Sequence, residues 1–260
     1  MNEKELLLQG FDPISLDEMS GIKLMNRIDT KYVMPMCKLL QLLQLAVHDY
    51  LVQEVDGERD IPYHTVYLDT DDMKMFHAHA SGRRVREKIR VRTYESSAMT
   101  FLEVKNKNHR GRTEKKRIKV PSLHGLEEHG GTEFLFENAR FALDEVSPQL
   151  ENNFQRITLV NKGRTERVTI DSEIVFHNLK NDVTVDFERI AVVELKREKK
   201  SDSPIFSMLK QLHVSSTGFS KYCMGCAYTD EAYQTKLLVS RMKRFHKMQE
   251  WDRKHRFMRE

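Results

Sequence analysis

The stretch RRVREKIRVRTYESSAMTFLEVKNKNHRGRTEKKRIK, residues 83–119, decides how the rest of the chain is read. It holds 14 Lys/Arg against 4 Asp/Glu, a local charge of +10 in a chain whose total is +4, so the remaining residues sum to −6. Side chains alternate between the two faces of a strand, and residues i, i+2 and i+4 share one. Over 86–94 the even positions are Arg86, Lys88, Arg90, Arg92 and Tyr94, with Ile89 and Val91 between them. Over 101–107 Glu103, Lys105 and Lys107 lie on one face and Leu102 and Val104 on the other. Over 113–120 Lys115, Arg117 and Lys119 alternate with Lys116, Ile118 and Val120. Three successive strands thus turn cations one way and aliphatics the other.

A solvated sheet face would also alternate. Like charges facing each other across neighbouring strands repel, however, and a surface sheet normally interleaves Glu with its Lys. Acids are scarce on this face, so a bound polyanion is the expected counter-charge, and phosphate suits Arg and Lys.

The same pattern recurs on both sides. RIDTKYVM (27–34) puts Arg27, Asp29 and Lys31 on one face, and HTVYLDT (64–70) alternates Val66 and Leu68 with Tyr67 and Asp69. Further on, NFQRITLVN (153–161), RTERVTIDSEIVF (164–176) and VTVDFERIAVVELKREKK (183–200) read as three strands. Arg156 and Thr158 share a face, as do Arg167, Thr169 and Asp171, and Val192, Glu194 and Lys196. Helices are expected over 36–48, 71–80, 122–144 with a break at Gly130-Gly131, 204–214 and 230–256, in the intervals needed to cover an aliphatic exterior. FSKYCMG (219–225) places Lys221 near a turn. About eight strands with one ionic face each can close as an α+β antiparallel barrel, charges inside and helices packed outside. An anion-free lumen of that kind is unstable, because like charges in a low dielectric repel.

Composition sets the bounds. With 39% hydrophobic and 32% charged residues in 260, the chain is a polar globular one with enough apolar residues for a core. No apolar run approaches the ~20 residues of a membrane span, and MNEKELLLQG lacks a signal-peptide layout, so a cytoplasmic protein is expected. Cys37, Cys223 and Cys226 are an odd count, against a disulfide framework, and the CxxC has no second pair at zinc spacing. His77 and His79 read as helix-surface residues, since i and i+2 point apart on a helix. The final twenty residues hold 8 Lys/Arg against 3 Asp/Glu, a basic amphipathic helix that packs on its own domain or docks on a partner. Two units are expected, 1–228 and the helix 229–260.

RIDTKYVM, YLDTDD, KIRVRTY, TFLEVKNK with KKRIKV, FQR with RVTID, VVELK and FSKYCMG occur in the order found in the polyphosphate polymerase domain of vacuolar transporter chaperone (VTC) proteins. The chain resembles that family over roughly 20–228, and through it the triphosphate tunnel metalloenzymes. The resemblance implies a tunnel barrel and a metal-dependent polymerase that moves the terminal phosphate of ATP to a growing polyphosphate chain, using Mg²⁺ or Mn²⁺. It also implies roles. Lys88, Arg90 and Arg92 would hold nucleotide phosphates, with Arg156 and Arg167 as paired arginines. Lys31, Lys105, Lys115, Arg117, Lys196 and Lys221 would contact substrate along the tunnel, and Glu194 would bind metal. The hydrolytic and cyclase branches carry ExExK where this chain has Arg27-Ile28-Asp29-Thr30-Lys31; losing the first Glu disfavours them. Asp29 replaces Glu, and Phe154 replaces Tyr, relative to the family pattern. The rival readings are a triphosphate hydrolase or cyclase on the same fold, and a non-catalytic polyphosphate binder. Nucleic acid is not the expected partner, because the cationic strands carry only Tyr94 and Phe101 for base stacking. A membrane-protein partner is implied by the family alone.

Overall fold

The computed structural model describes residues 2–22, 27–198 and 202–256. Its centre is one curled sheet, with strands β1 (Asp12–Ile14), β2 (Arg27–Pro35), β3 (Tyr50–Gln53), β4 (Ile61–Asp69), β5 (Arg86–Tyr94) and β6 (Met99–Lys107) in the first half. The second half supplies β7 (Thr113–Val120), β8 (Ser147–Asn161), β9 (Glu166–Asn178), β10 (Thr184–Phe187) and β11 (Ile190–Glu198). The main path runs β2-β11-β9-β8-β4-β5-β6-β7, with every neighbouring pair antiparallel. Strands β1, β3 and β10 extend it at β3, β8 and β9.

The large antiparallel sheet with helices outside is the expected α+β tunnel-like fold, with its sheet left unclosed: β2 and β7 end the path and do not pair among the described residues. The free edge of β2 meets the segment after the last strand instead. Tyr32 bridges Ser216, and Thr217 N donates to the Lys31 carbonyl at 2.8 Å. Residues 216–221 therefore line the opening beside β2.

The helices α1 (Glu3–Gln9), α2 (Leu16–Ser20), α3 (Met36–Ala46), α4 (Lys74–Ala80), α5 (Gly131–Asn138), α6 (Pro204–Gln211), α7 (Lys221–Thr229) and α8 (Lys236–Arg256) cover the sheet. Pro35 ends β2 and caps α3, whose Leu39, Leu42, Leu43 and Ala46 are fully buried. They pack with Ile157, Leu159, Val168, Ile170, Val193 and Leu195, the aliphatic faces of β8, β9 and β11. Across the molecule, Ile89, Val91, Leu102 and Val104 pack on Phe134 and Leu135 of α5. The aliphatic faces thus look outward under helices, and the ionic faces are left to line the lumen. Each such buried side chain contributes about 1.5–3 kcal/mol, and truncating Leu43 to Ala would cost about 2–5 kcal/mol.

At one end of the lumen α7 packs Tyr222 against Tyr67 and Phe76, and the Tyr222 hydroxyl donates to Asp69 at 2.6 Å. Cys223 and Cys226 are buried in this same helix as free thiols. Helix α8 buries Leu238 and Phe245, and Asp252 accepts from Cys37 N at 2.8 Å and pairs with Arg189 at 3.2 Å.

Three element boundaries differ from the sequence reading. The single strand over 183–200 is two, because Arg189 takes a left-handed φ of 58° between β10 and β11. The helix over 122–144 shortens to α5, since Gly125 and Gly130 at φ 72° and 79° turn the chain before it. Lys221 does not sit near a turn but opens α7, where Ser220 caps by accepting from Cys223 N at 3.3 Å.

Candidate functional site

The lumen has two regions, both built by alternation along neighbouring strands. In the inner one, register places Arg156 of β8 opposite Asp171 of β9. The guanidinium grips the carboxylate with two donors, Nε at 2.6 Å and NH2 at 2.8 Å. Lys221, from the first turn of α7, donates to the same carboxylate. Burial alone would raise Asp171, but Arg156 and Lys221 hold it well below the usual carboxylate range. Tyr63 and Phe154 stack at 5.3 Å and form an aromatic floor. Arg156 lies 4.9 and 5.2 Å from their centroids, Arg92 5.5 and 5.8 Å, and Lys221 3.9 Å from Phe154. Arg92 is 6% exposed, donates to Thr65 at 3.1 Å, and falls to about 10 through burial and the neighbouring Arg90 and Arg156.

Between the regions Glu103 of β6, 1% exposed, binds Arg90 at 2.7–2.8 Å and also Lys115 of β7. Against burial, Arg90, Arg92 and Lys115 bring Glu103 down to about 2. Lys115 itself is pulled to about 8 by the low-dielectric wall, against the attraction of Glu103.

The outer region is a cavity of about 520 Å³ lined from opposite walls by Lys31, Lys88, Lys105 and Glu194, with Asp29 and residues 216–220. Lys196 pairs with Glu194 at 3.2 Å and Lys31 approaches it at 3.9 Å. Lys31, Lys196 and Lys105 hold Glu194 well below its usual value, overcoming burial. Lys88 donates to Ser220 Oγ at 2.9 Å, and Lys31 to the Phe219 carbonyl at 3.1 Å. Burial brings Lys88 to about 7, with Lys31, Lys105 and Arg90 adding repulsion. Lys105 is open to cavity water, yet the walls and the nearby Lys31 and Arg90 pull it to about 8.

The strand arrangement thus brings together Lys31, Lys88, Arg90, Arg92, Lys105, Lys115, Arg156, Glu194, Lys196 and Lys221. Two further expected members lie on the same ionic faces, Arg167 opposite Lys196 and Arg117 opposite Glu103, but their recorded contacts lead elsewhere. Arg167 donates to the Met19 carbonyl at 3.0 Å, toward α2, and Arg117 lies on exposed β7, its guanidinium 4.3 Å from the Phe101 centroid. The carboxylates that line the cavity are Glu194 and Asp29, and among the described residues there is no group of three His, Cys, Asp or Glu side chains placed to hold a metal ion. Such a pair fits a hard divalent cation that keeps water and substrate oxygens as its other ligands, and does not fit a closed protein-only site.

The chain matches the VTC domain over residues 26–229. It belongs to the VTC domain family. No curated protein matches it. Among solved structures, HpAC1 from Hippeastrum, reported with a dominant triphosphatase activity, is similar at 16% identity, 79% of this chain, 97% of that one and TM-score 0.45. A Bacillus halodurans protein provisionally called an adenylate cyclase is similar at 12% identity, 75% and 96% coverage and TM-score 0.47. A Vibrio parahaemolyticus protein of the same provisional description is similar at 11%, 76% and 96%, TM-score 0.45.

In this VTC domain the sequence reading passed over several groups that shape the site. Asp171 and Glu103 lie on the ionic faces and pair across consecutive strands, with Arg156 and with Arg90 and Lys115, while Lys221 reaches Asp171 from a remote helix. Tyr63 sits just ahead of the strand residues read, and Phe154 was noted only as a departure from Tyr; together they make the floor. Ser220 and the Phe219 carbonyl act through backbone placement that alternation does not report. His79, read as a helix-surface residue, lines the cavity, with Nε2 3.0 Å from the Glu87 carbonyl. Burial first, then Lys88 and Arg86, keep it neutral at ordinary pH, near a value of about 2.

Proposed function

We propose that this VTC-domain protein is a metal-dependent polyphosphate polymerase that transfers the terminal phosphate of a nucleoside triphosphate, ATP in the first instance, to a polyphosphate end held in the lumen. The observation that carries the reading is the surplus of desolvated cations around the outer cavity. Lys31 and Lys196 pair with Glu194, whereas no ion pair among the described residues reaches Lys88 or Lys105, which burial and mutual repulsion bring to about 7 and 8. A triphosphate or polyphosphate segment supplies the missing negative charge and returns those lysines to their protonated form.

Phosphoryl transfer asks mainly for positioning and charge stabilisation. Lys88 and Lys105, on paired β5 and β6, can hold the donor from one wall while Lys31 and Lys196 hold it from the other. The acceptor is an ionised phosphate oxygen, so no general base is required. The new O–P bond forms as the bridge between the β and γ phosphates breaks, and charge on the departing ADP is met by lysine. Glu194, with Asp29 beside the cavity, would hold the Mg²⁺ or Mn²⁺ ion, which when bound offsets charge on the phosphate oxygens. Arg90, Arg92 and Arg156 stiffen the wall and extend the positive field inward.

Purified protein incubated with ATP and Mn²⁺ or Mg²⁺ should yield a ladder of phosphate oligomers on a resolving gel, together with ADP. Orthophosphate or a cyclic nucleotide as the sole product would assign a hydrolase or cyclase instead. Replacing Glu194 by Gln should lower turnover roughly 100-fold while tripolyphosphate still binds; unchanged turnover would remove Glu194 from the mechanism.

A further inference from the structure

We propose that the protein associates head to tail with further copies of itself, the acidic helix α5 of one copy docking into a groove along α8 of the next. Two unlike surfaces carry the inference. The groove, about 830 Å³, runs beside α8 and the start of α3. Val239, Lys243, Lys247 and Trp251 follow at i, i+4, i+8 and i+12 on one face of α8, a strip roughly 18 Å long. Met248 adds to the apolar floor and Arg244 to the cationic rim. The opposite face of α8 is already committed, with Leu238, Phe245, Gln249 and Asp252 buried against the domain.

Helix α5 presents the complement. Its inner face, Phe134 and Leu135, is buried, while Phe136 projects 84% exposed, the most exposed of the large hydrophobic side chains described. Glu133 and Glu137 flank it on the same helix and form no ion pair among the described residues, and Glu127 and Glu128 are exposed just before it. An aromatic knob with carboxylates along one side matches an apolar floor edged by Lys and Arg in both polarity and sign. At eight residues α5 is roughly 12 Å long and fits along the strip.

Other occupants fit less well. Bare polyphosphate or a nucleic-acid backbone would meet Lys243 and Lys247 but leave without an apolar cover the exposed part of Trp251, which Lys38 and His255 flank, and the half-buried Val239 and Met248. A flat bilayer would not enter a recess between two helices. Because α5 packs on β6 and β7 while α8 packs near β2 and β11, the two surfaces sit at opposite ends of the strand order. The contact is heterologous, so it generates rings or open chains and not a self-complementary dimer. It is independent of the catalytic reading.

Sedimentation velocity on the full chain over a concentration series tests this. Wild-type protein should form species that grow with concentration and dissociate in about 1 M salt, where the screening length falls to about 3 Å. Phe136→Asp and the pair Lys243→Glu with Lys247→Glu should each weaken association at least about tenfold, with thermal melting and tripolyphosphate binding unchanged as controls for folding. Mixing the two variants should restore a heterodimer and nothing larger, because each retains the half the other has lost. A monomer at every concentration, association indifferent to both variants, or a mixture that forms no heterodimer would overturn the proposal. So would a monomer whose Lys243 and Lys247 are needed instead for co-sedimentation with phosphatidylglycerol vesicles.

Discussion

The inner and outer regions of the lumen are made of the same residue types, yet they differ in how the protein meets its own cations. Burial brings Lys221 of the inner region and Lys88 of the outer one alike to about 7, but Lys221 sits on a carboxylate and Lys88 on a hydroxyl. In the inner region Asp171 is held by Arg156 and Lys221 over the Tyr63–Phe154 floor, so each cation has a carboxylate or an aromatic face. In the outer region Lys31 and Lys196 pair with Glu194, Asp29 lines the same cavity, Lys88 donates to a hydroxyl and Lys31 to a carbonyl oxygen, and Lys105 forms no ion pair among the described residues. Cations matched by the protein build a wall; cations left over make a site for an anion.

That contrast can be broken most decisively at Asp171. Asp171→Asn leaves Arg156 and Lys221 buried without a counter-charge and should cost about 3–5 kcal/mol, read by denaturant unfolding in phosphate-free buffer. Lys105→Ala, in the outer region, should leave stability unchanged or raise it slightly; a loss comparable to that of Asp171→Asn would erase the distinction. Next in size, Lys88→Ala should weaken tripolyphosphate binding roughly 10- to 100-fold in calorimetry while the ligand-free protein gains stability from reduced repulsion. Losses in both would mean that Lys88 is structural.

A smaller effect follows from pH. Lys88 and Lys105 sit near 7 and 8 in the folded, ligand-free protein, below the ordinary lysine value of about 10.4. Between those limits the unfolded chain binds more protons, so these groups make ligand-free stability rise with pH from about 7 toward 10. Tripolyphosphate restores the protons, so its affinity should fall over that range, and calorimetry at pH 8 in buffers of different ionisation enthalpy should show net proton uptake. Glu103 gives the same sign in a lower window: with a folded value of about 2, its stabilising contribution is complete above about 4.3 and is lost as pH falls toward 2. The smallest effect is expected at Arg167, anchored to the Met19 carbonyl; Arg167→Ala should change turnover by less than about threefold, and a larger loss would extend the site toward α2.

Much of this was legible from period-two patterning. Lys88, Arg90 and Arg92 face the lumen because the residues between them are Ile89 and Val91, and the buried aliphatics must turn outward to meet α5. Where alternation is clean, strand and face follow from the residues alone. Pairing is another matter. Glu103 meets Arg90 across the β5–β6 hairpin, but nothing local joins Asp171 to Lys221 fifty residues on, because the seating of α7 is decided by tertiary packing. That the sheet stays unclosed is likewise tertiary: the β2 edge is met by Ser216 and Thr217, far along the chain. Single residues in left-handed conformations, such as Arg189, divide runs that read as continuous.

The most direct test of the central claim is calorimetric binding of tripolyphosphate to wild type, to the Lys88→Ala/Lys105→Ala double variant and to the exterior Lys243→Glu/Lys247→Glu variant. Convergence of lumen cations on one anion site predicts saturable one-site binding that the lumen variant loses and the exterior variant keeps. Equal affinity in all three, or loss only in the exterior variant, would contradict it.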